Sequence, residues 1–339
     1  MQKAIESAAA LSARLKFEVD EMLHGRTTEL EQVMKLAYQH NKWFTVPDQV
    51  QAVSAIAAML ESRKLSQWLS AYPLPVAFSK TVGIIMAGNL PAVGFHDLLC
   101  VLLAGHKAMM KCSSDDNILM QWLAKQLAAD LNASGRIVFT DRLKNMDAVI
   151  ATGSDNSARY FEFYFSKIPK IIRKNRNSVA VLAGNESDED LANLGADIFS
   201  YFGLGCRNVS KLYVPAGYDF NILFKAFQPW SHLMDHNKYM NNYDYHRAVY
   251  LMNREPFLTN NFVILKESEQ TASPVSVVHY HFYENEKALR YHLEEIKDKL
   301  QCIVSSSKGD IPFGQTQKPE PWDYADGVDT IQFLAEIGK

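Results

Sequence analysis

Residues 81–114 read TVGIIMAGNL PAVGFHDLLC VLLAGHKAMM KCSS, and this stretch decides the fold. Its first seven residues, 81–87, are almost wholly apolar, the pattern of a strand buried on both faces. Gly88-Asn89-Leu90-Pro91 interrupts the run, and Pro91 suits the first turn of a helix over residues 92–104. A second buried strand is predicted at 107–112. Ser113 and Ser114 then offer N-cap hydroxyls, while Asp115 and Asp116 complement the dipole of a helix reaching residue 131. Ile118, Leu119, Trp122, Leu123 and Leu127 form the apolar stripe of that helix.

The same alternation extends outward in both directions. Short strands are predicted at 136–140 and 147–151, and Gly153-Ser154-Asp155 opens a helix to residue 166. The second half has strands at 178–183, 211–214, 262–266, 275–282 and 302–305. Helices occupy 188–201 and 284–300, and an aromatic-rich, mostly helical stretch covers 219–253. Upstream, 4–23 and 48–69 carry apolar residues at three- and four-residue steps, with Pro47 breaking the chain ahead of the second. Strands alternating with helices imply parallel pairing with right-handed crossovers, hence an α/β protein with a Rossmann-like sheet. At roughly 100–200 residues per domain, 339 residues suggest two domains, or one large one with an insertion, and the change of spacing puts a domain switch near residues 175–180. No internal repeat or low-complexity tract interrupts the pattern.

Composition narrows the function classes. A balance of 35 Lys+Arg against 38 Asp+Glu, net charge −3, gives no electrostatic reason to bind nucleic acid or an anionic membrane. An apolar share of 47% with 22% charged residues excludes bulk disorder. No apolar run approaches the roughly 20 residues of a membrane span. The first residues carry Glu6 and no apolar core, so a signal peptide is not expected and the expected compartment is the cytoplasm. Four cysteines, at positions 100, 112, 206 and 302, are too scattered for a disulfide framework, and no CxxC pair suggests zinc. His279 and His281 lie two apart on one strand and share a face, but without a third ligand no metal is expected.

Three of the thiols read as small core hydrophobes. Cys206 stands apart, in Tyr201-Phe202-Gly203-Leu204-Gly205-Cys206-Arg207-Asn208. Gly203 and Gly205 permit a sharp turn and close approach of a ligand, and Arg207 favours a thiolate. A glycine-rich connector that happens to contain cysteine fits the same residues.

Gly-x-Gly-Cys-Arg-Asn-Val-Ser, followed by the strand Lys-Leu-Tyr-Val-Pro, resembles the nucleophile segment of the aldehyde dehydrogenase superfamily. Within it the chain is most similar to the bacterial fatty acyl-CoA reductases of the luminescence type, the LuxC-like family. Further segments agree in order. Ala87-Gly88-Asn89-Leu90-Pro91 matches the superfamily's strand-loop-helix motif, and Leu103 to Ser114 matches the strand whose Lys faces the cofactor ribose. Ala151-Thr152-Gly153-Ser154 matches the helix start near the pyrophosphate. Ile311-Pro312-Phe313-Gly314-Gln315 and Tyr324 to Thr330 resemble the reductase tail.

This resemblance implies a Rossmann-type cofactor domain with the N-terminal helices (1–177), a catalytic α/β domain carrying Cys206 (178–308), and a tail (309–339) packing back on the cofactor domain. It implies an NAD(P)H-dependent acyl-CoA reductase. Cys206 would be the nucleophile, and the Asn89 amide with the Cys206 N–H would stabilise the oxyanion. Lys111, Ser113, Ser114, Gly153 and Ser154 would bind the cofactor. Ser114 stands where NAD-preferring relatives carry a carboxylate, which favours NADPH over NADH. Gln270 falls where relatives place a ribose-binding glutamate, and that contact is left unassigned. Aldehyde-oxidising relatives carry a water-activating glutamate just before strand 178–183, whereas residues 170–177, KIIRKNRN, contain no acid. Their basic side chains would meet CoA or cofactor phosphates, or form a solvated edge. The expected partners are acyl-CoA, further copies of the chain, and a protein that supplies the acyl group. An aldehyde dehydrogenase making acids or acyl-CoA, or a scaffold keeping the fold without the chemistry, are the competing readings.

Overall fold

Amphipathic spacing organises the start of the computed structural model, which describes residues 1–339. Helices α1 (Gln2–Leu23), α2 (Glu29–His40), α3 (Val46–Met59) and α4 (Ser62–Leu69) pack through stripes such as Ile5, Ala8, Leu11, Leu15 and Val19 of α1. The α/β alternation then begins. Strand β1 (Thr81–Ile85) leads to α5 (Phe95–Ala104), β2 (Lys107–Lys111), α6 (Ile118–Asp130), β3 (Ile137–Phe139), β4 (Ala148–Thr152), α7 (Asp155–Tyr164) and β5 (Lys170–Arg173). The five strands are all parallel, in the order β3-β2-β1-β4-β5. Helix α5 is apolar nearly all round and accordingly buried, Leu98 to Ala104 without exception.

A second sheet begins with β6 (Asn177–Val181). After it come α8 (Asp188–Phe199), β7 (Val209–Pro215), α9 (Phe220–Ala226), α10 (Asn237–Met252), β8 (Leu258–Thr259), β9 (Ile264–Glu267), β10 (Val277–Tyr283), α11 (Glu286–Glu295) and β11 (Leu300–Val304). Its order is β11-β6-β7-β10-β9-β8, parallel except for the short β8–β9 hairpin. Helix α8 starts at a capping box in which Ser187 and Asp190 satisfy each other's backbone N–H. The predicted helical stretch 219–253 is divided, because Pro229 opens a 3-10 segment, Gln228–Asp235, between α9 and α10. Helix α12 (Thr330–Ile337) closes the chain.

The chain separates into two units, residues 1–175 with 319–339, and residues 176–318. The tail therefore divides at 318/319, whereas the resemblance assigns all of 309–339 to the first domain. Residues 309–318 stay with the second unit because Ile311 bridges to Val304 and the Asp197 carboxylate accepts the N–H groups of Gly314 and Thr316. In the first unit α12 packs against α5, and Tyr324 shares hydrogen bonds with Trp68 and Tyr72.

Strand β5 is absent from the sequence expectation, which reads 170–177 as an edge of basic side chains. Arg173 instead lies 5% exposed, with Nη1 on the Asp97 carboxylate at 2.5 Å and Nη2 on Thr330 Oγ1 at 2.9 Å. Lys170 pairs with Glu162, and Arg176 donates to the Leu300 carbonyl. Lys174 is exposed.

Candidate active site

In the first unit, three adjacent parallel strands end at one edge of the sheet. The loop after β1 carries Asn89, β2 ends at Lys111 and leads into Ser113 and Ser114, and β4 leads into Gly153 and Ser154. Strand order reverses between β1 and β4, and the crevice outside the carboxyl ends at such a switch point is where open α/β sheets bind ligands. Asn89, Lys111 and Ser114 are exposed on this edge. Ser154 caps α7 by accepting the Ser157 N–H, leaving a helix N-terminus suited to an anion. Gly153 is required by packing, since a Cβ there would lie 2.9 Å from the Ser157 Cβ.

The edge is braced by contacts that local sequence does not reveal, and Asp116, expected to complement a helix dipole, is one of the residues that make them. A Cβ on Gly88 would meet Ser113 Oγ at 2.3 Å, so the Asn89 loop and the Ser113 turn are in close contact. Asp116, 3% exposed, accepts the Ala92 N–H at 2.7 Å and holds Ala92 at φ +56°. That left-handed residue delays the start of α5 to Phe95 rather than residue 92. Burial pushes the Asp116 carboxyl up to about 8, opposed by the N–H groups of Ala92 and Met120. From the end of α2, His40 Nε2 donates to the Ser114 carbonyl at 2.7 Å. The end of α2 thus supports the Ser114 loop.

In the second unit, Cys206 is exposed on the turn before β7, at the start of a strand in mid-sheet. The residues leading into the turn are strained. Tyr201, Phe202 and Gly203 have φ of +53°, +58° and +75°, and only the glycine adopts this region at no cost. The turn itself is closed by the Asn208 N–H on the Gly205 carbonyl at 3.0 Å. Ser178 Oγ holds the Cys206 carbonyl at 2.8 Å, and Arg207 Nε donates to the Thr316 carbonyl.

The other thiols differ. Cys100 and Cys302 are buried, and Cys112 is half-buried. Burial raises the Cys100 thiol well above its ordinary value, and burial, followed by the nearby Asp116 charge, pushes Cys112 to about 11. Strands β7 and β10 also fix the loop containing Gln270. Lys211 Nζ, His279 Nδ1 and Ser210 Oγ each donate to one of the successive carbonyls of Glu269, Gln270 and Thr271. The Gln270 side chain is exposed. Of the aromatic stretch, Tyr239 and Tyr243 are buried. Tyr239 lines a cavity of about 20 Å³ with Phe202 and Val275, room for a water but not for an acyl chain.

No protein-family model matches the sequence, and no curated protein matches it. Solved structures do. The aldehyde dehydrogenase KauB from Pseudomonas aeruginosa superposes with TM-score 0.60 at 13% identity, over 89% of this chain and 71% of its own. A benzaldehyde dehydrogenase from Corynebacterium glutamicum, NAD-dependent by its description, gives 0.62 at 10% identity, over 90% and 77%. The chain has the aldehyde dehydrogenase fold. An NAD+ complex of an aldehyde dehydrogenase from Bacillus cereus is similar at TM-score 0.60 and 11% identity, over 91% and 72%. At these identities the likeness extends to the aldehyde dehydrogenase fold, and chemistry must be argued from the residues. No helix of the chain is long and apolar enough to cross a membrane.

Proposed function

We propose that this chain is a nicotinamide-dependent oxidoreductase that reduces an acyl-CoA thioester to the aldehyde through a covalent acyl-cysteine. The observation that carries the reading is Cys206, an exposed thiol on a hydrogen-bonded turn heading a mid-sheet strand of an aldehyde dehydrogenase fold.

The residues fit a dinucleotide. The switch-point edge offers the exposed Lys111 ammonium and Ser114 hydroxyl toward a ribose and the capped N-terminus of α7 toward a pyrophosphate. Ser114 brings no charge against a 2′-phosphate and Asp116 is turned inward onto Ala92, both of which support NADPH, while Asp115, exposed beside Ser114, acts against it.

Cys206 Sγ attacks the thioester carbonyl. The Cys206 N–H receives the developing oxyanion, and the resemblance implies the Asn89 amide as a second donor, each contributing about 100–1000-fold. The carbon–sulfur bond to CoA breaks, and CoA leaves as the thiolate and takes a proton from water. When bound, a reduced nicotinamide would supply a hydride, and Cys206 would hold the thiohemiacetal that results. Its oxygen then re-forms the carbonyl, the bond to Cys206 breaks, and aldehyde and thiolate separate. Residues 170–177 offer no carboxylate, and Arg173 there is buried in an ion pair. That favours reduction of the acyl-cysteine over its hydrolysis.

The test incubates purified protein with acyl-CoAs of increasing length and either NADPH or NADH, following nicotinamide oxidation. Cys206→Ser is expected to abolish turnover while leaving dinucleotide binding intact. Turnover by that variant at the wild-type rate overturns the assignment. Aldehyde-dependent NAD(P)+ reduction without acyl-CoA reduction favours the dehydrogenase reading. Acyl transfer only in the presence of a co-purifying protein identifies an acyl-supplying partner.

A further inference from the structure

The segment before Cys206 is held in a conformation its residues disfavour. Left-handed backbone is disfavoured for a residue with a Cβ, and Tyr201 and Phe202 adopt it in succession. Such strain persists only where surrounding contacts over-determine it. One buried side chain ties together the two ends of this strained segment. Asn208, 2% exposed, donates Nδ2 to the carbonyls of Asp197 (3.2 Å), Ile198 (3.3 Å) and Ser200 (2.9 Å). These carbonyls belong to the last turn of α8 and the residue after it, where intrahelical donors run out. The other end of the same amide, Oδ1, accepts the Gly205 N–H at 2.8 Å.

One carboxamide therefore ties the end of α8 to the residue immediately before the thiol, while the backbone N–H of Asn208 closes the 205–208 turn. Only an amide carries both donors and an acceptor on one short planar group. Aspartate keeps the shape and the acceptor but loses the donors, and would set a buried anion against three carbonyls. Ser178 Oγ completes the frame from β6 by holding the Cys206 carbonyl.

We propose that Asn208 is the positioning residue of the nucleophile, its amide holding the strained approach to Cys206 so that the thiol and the Cys206 N–H are presented in one fixed direction. The assignment rests on Cys206 being the nucleophile, as proposed above. It concerns presentation of the thiol, so it has a readout that needs no acyl-CoA.

The experiment measures the rate of Cys206 alkylation by iodoacetamide in folded wild type and Asn208→Asp, with the other three cysteines as internal references. Kinetics of acyl-CoA reduction are followed in parallel. Misplacement of a reacting group by about 1 Å costs up to about 100-fold. The expected result is a tenfold or greater change in alkylation confined to Cys206, and a fall in kcat with KM for the dinucleotide unchanged. An unchanged Cys206 rate in folded Asn208→Asp overturns the proposal. So does an equal change at all four thiols, which reports a loosened fold. If Asn208→Asp does not fold, Ser178→Ala decides, because it removes only the hydroxyl on the Cys206 carbonyl, and an unchanged Cys206 rate there again overturns the frame. Failure of wild type to reduce any acyl-CoA would defeat the proposed function without touching the alkylation result.

Discussion

Replacing Arg173 by methionine separates a structural cation from a ligand-binding one. The guanidinium lies on the Asp97 carboxylate at 2.5 Å and on Thr330 Oγ1 at 2.9 Å, and both charged residues are 5% exposed. It joins β5, α5 and the first residue of α12. Arg173→Met leaves the Asp97 carboxylate buried without its cation. Breaking a buried pair from one side costs about 3–5 kcal/mol. For a unit of this size each kcal/mol lowers the midpoint by about 2–4 °C. The transition of the first unit should therefore fall by about 6–20 °C. Adding Asp97→Leu removes the orphan charge, and apolar replacement of a whole buried pair is often neutral. The double variant should recover most of the loss. Thermal melts of wild type, both single variants and the double variant form the cycle, and the pair's coupling is read from its non-additivity. Wild-type melting by Arg173→Met together with weakened CoA binding would refute the structural role. It would reinstate the phosphate contact that the sequence of 170–177 suggested.

Three further outcomes follow from the site. Gly88→Ala places a methyl 2.3 Å from Ser113 Oγ and is expected to cost about 1–3 kcal/mol in overpacking, with weaker NADPH binding seen by titration. Unchanged stability and binding would show that the two loops are not in register. Burial pushes the Asp116 carboxyl from its ordinary 3.8 up to about 8. Its proton is then held more tightly by the folded chain, so its stabilising contribution is full below about pH 4 and is lost as pH rises through about 8. Urea unfolding across that window should show stability falling with pH in wild type, and a shallower fall in Asp116→Asn; parallel curves would count against the assignment. Limited alkylation at neutral pH should label exposed Cys206 before Cys100 and Cys112, whose thiols burial holds protonated. Labelling of either buried thiol first would contradict this environment.

What was legible in the sequence, and what was not, divides by the distance over which each residue finds its partner. Strands β1, β2, β4 and β6 are nearly continuous apolar runs because helices cover both faces of a parallel sheet, and that pattern is local. The motifs at Asn89, Lys111–Ser114 and Gly153–Ser154 were equally visible, since parallel strands of known order deliver whatever follows them to one edge. Strand β5 was hidden because Lys170-Ile171-Ile172-Arg173 ends in a cation that looks solvated until Asp97, 76 residues earlier, is seen to bury it. The start of α5 was misplaced by three residues because Ala92 is held left-handed by a carboxylate 24 residues downstream. At the candidate nucleophile the two glycines announced a turn, but the strain falls on Tyr201 and Phe202, aromatic residues that nothing in the local sequence would send there. The candidate site residues are thus readable from their neighbours, while Asp97 and Asp116 take their roles from partners brought close only by the fold. A variant at Asp97 or Asp116, both outside the quoted motifs, should therefore leave every motif intact and still loosen the elements that carry the candidate site, and motif matching alone would score such a chain as active.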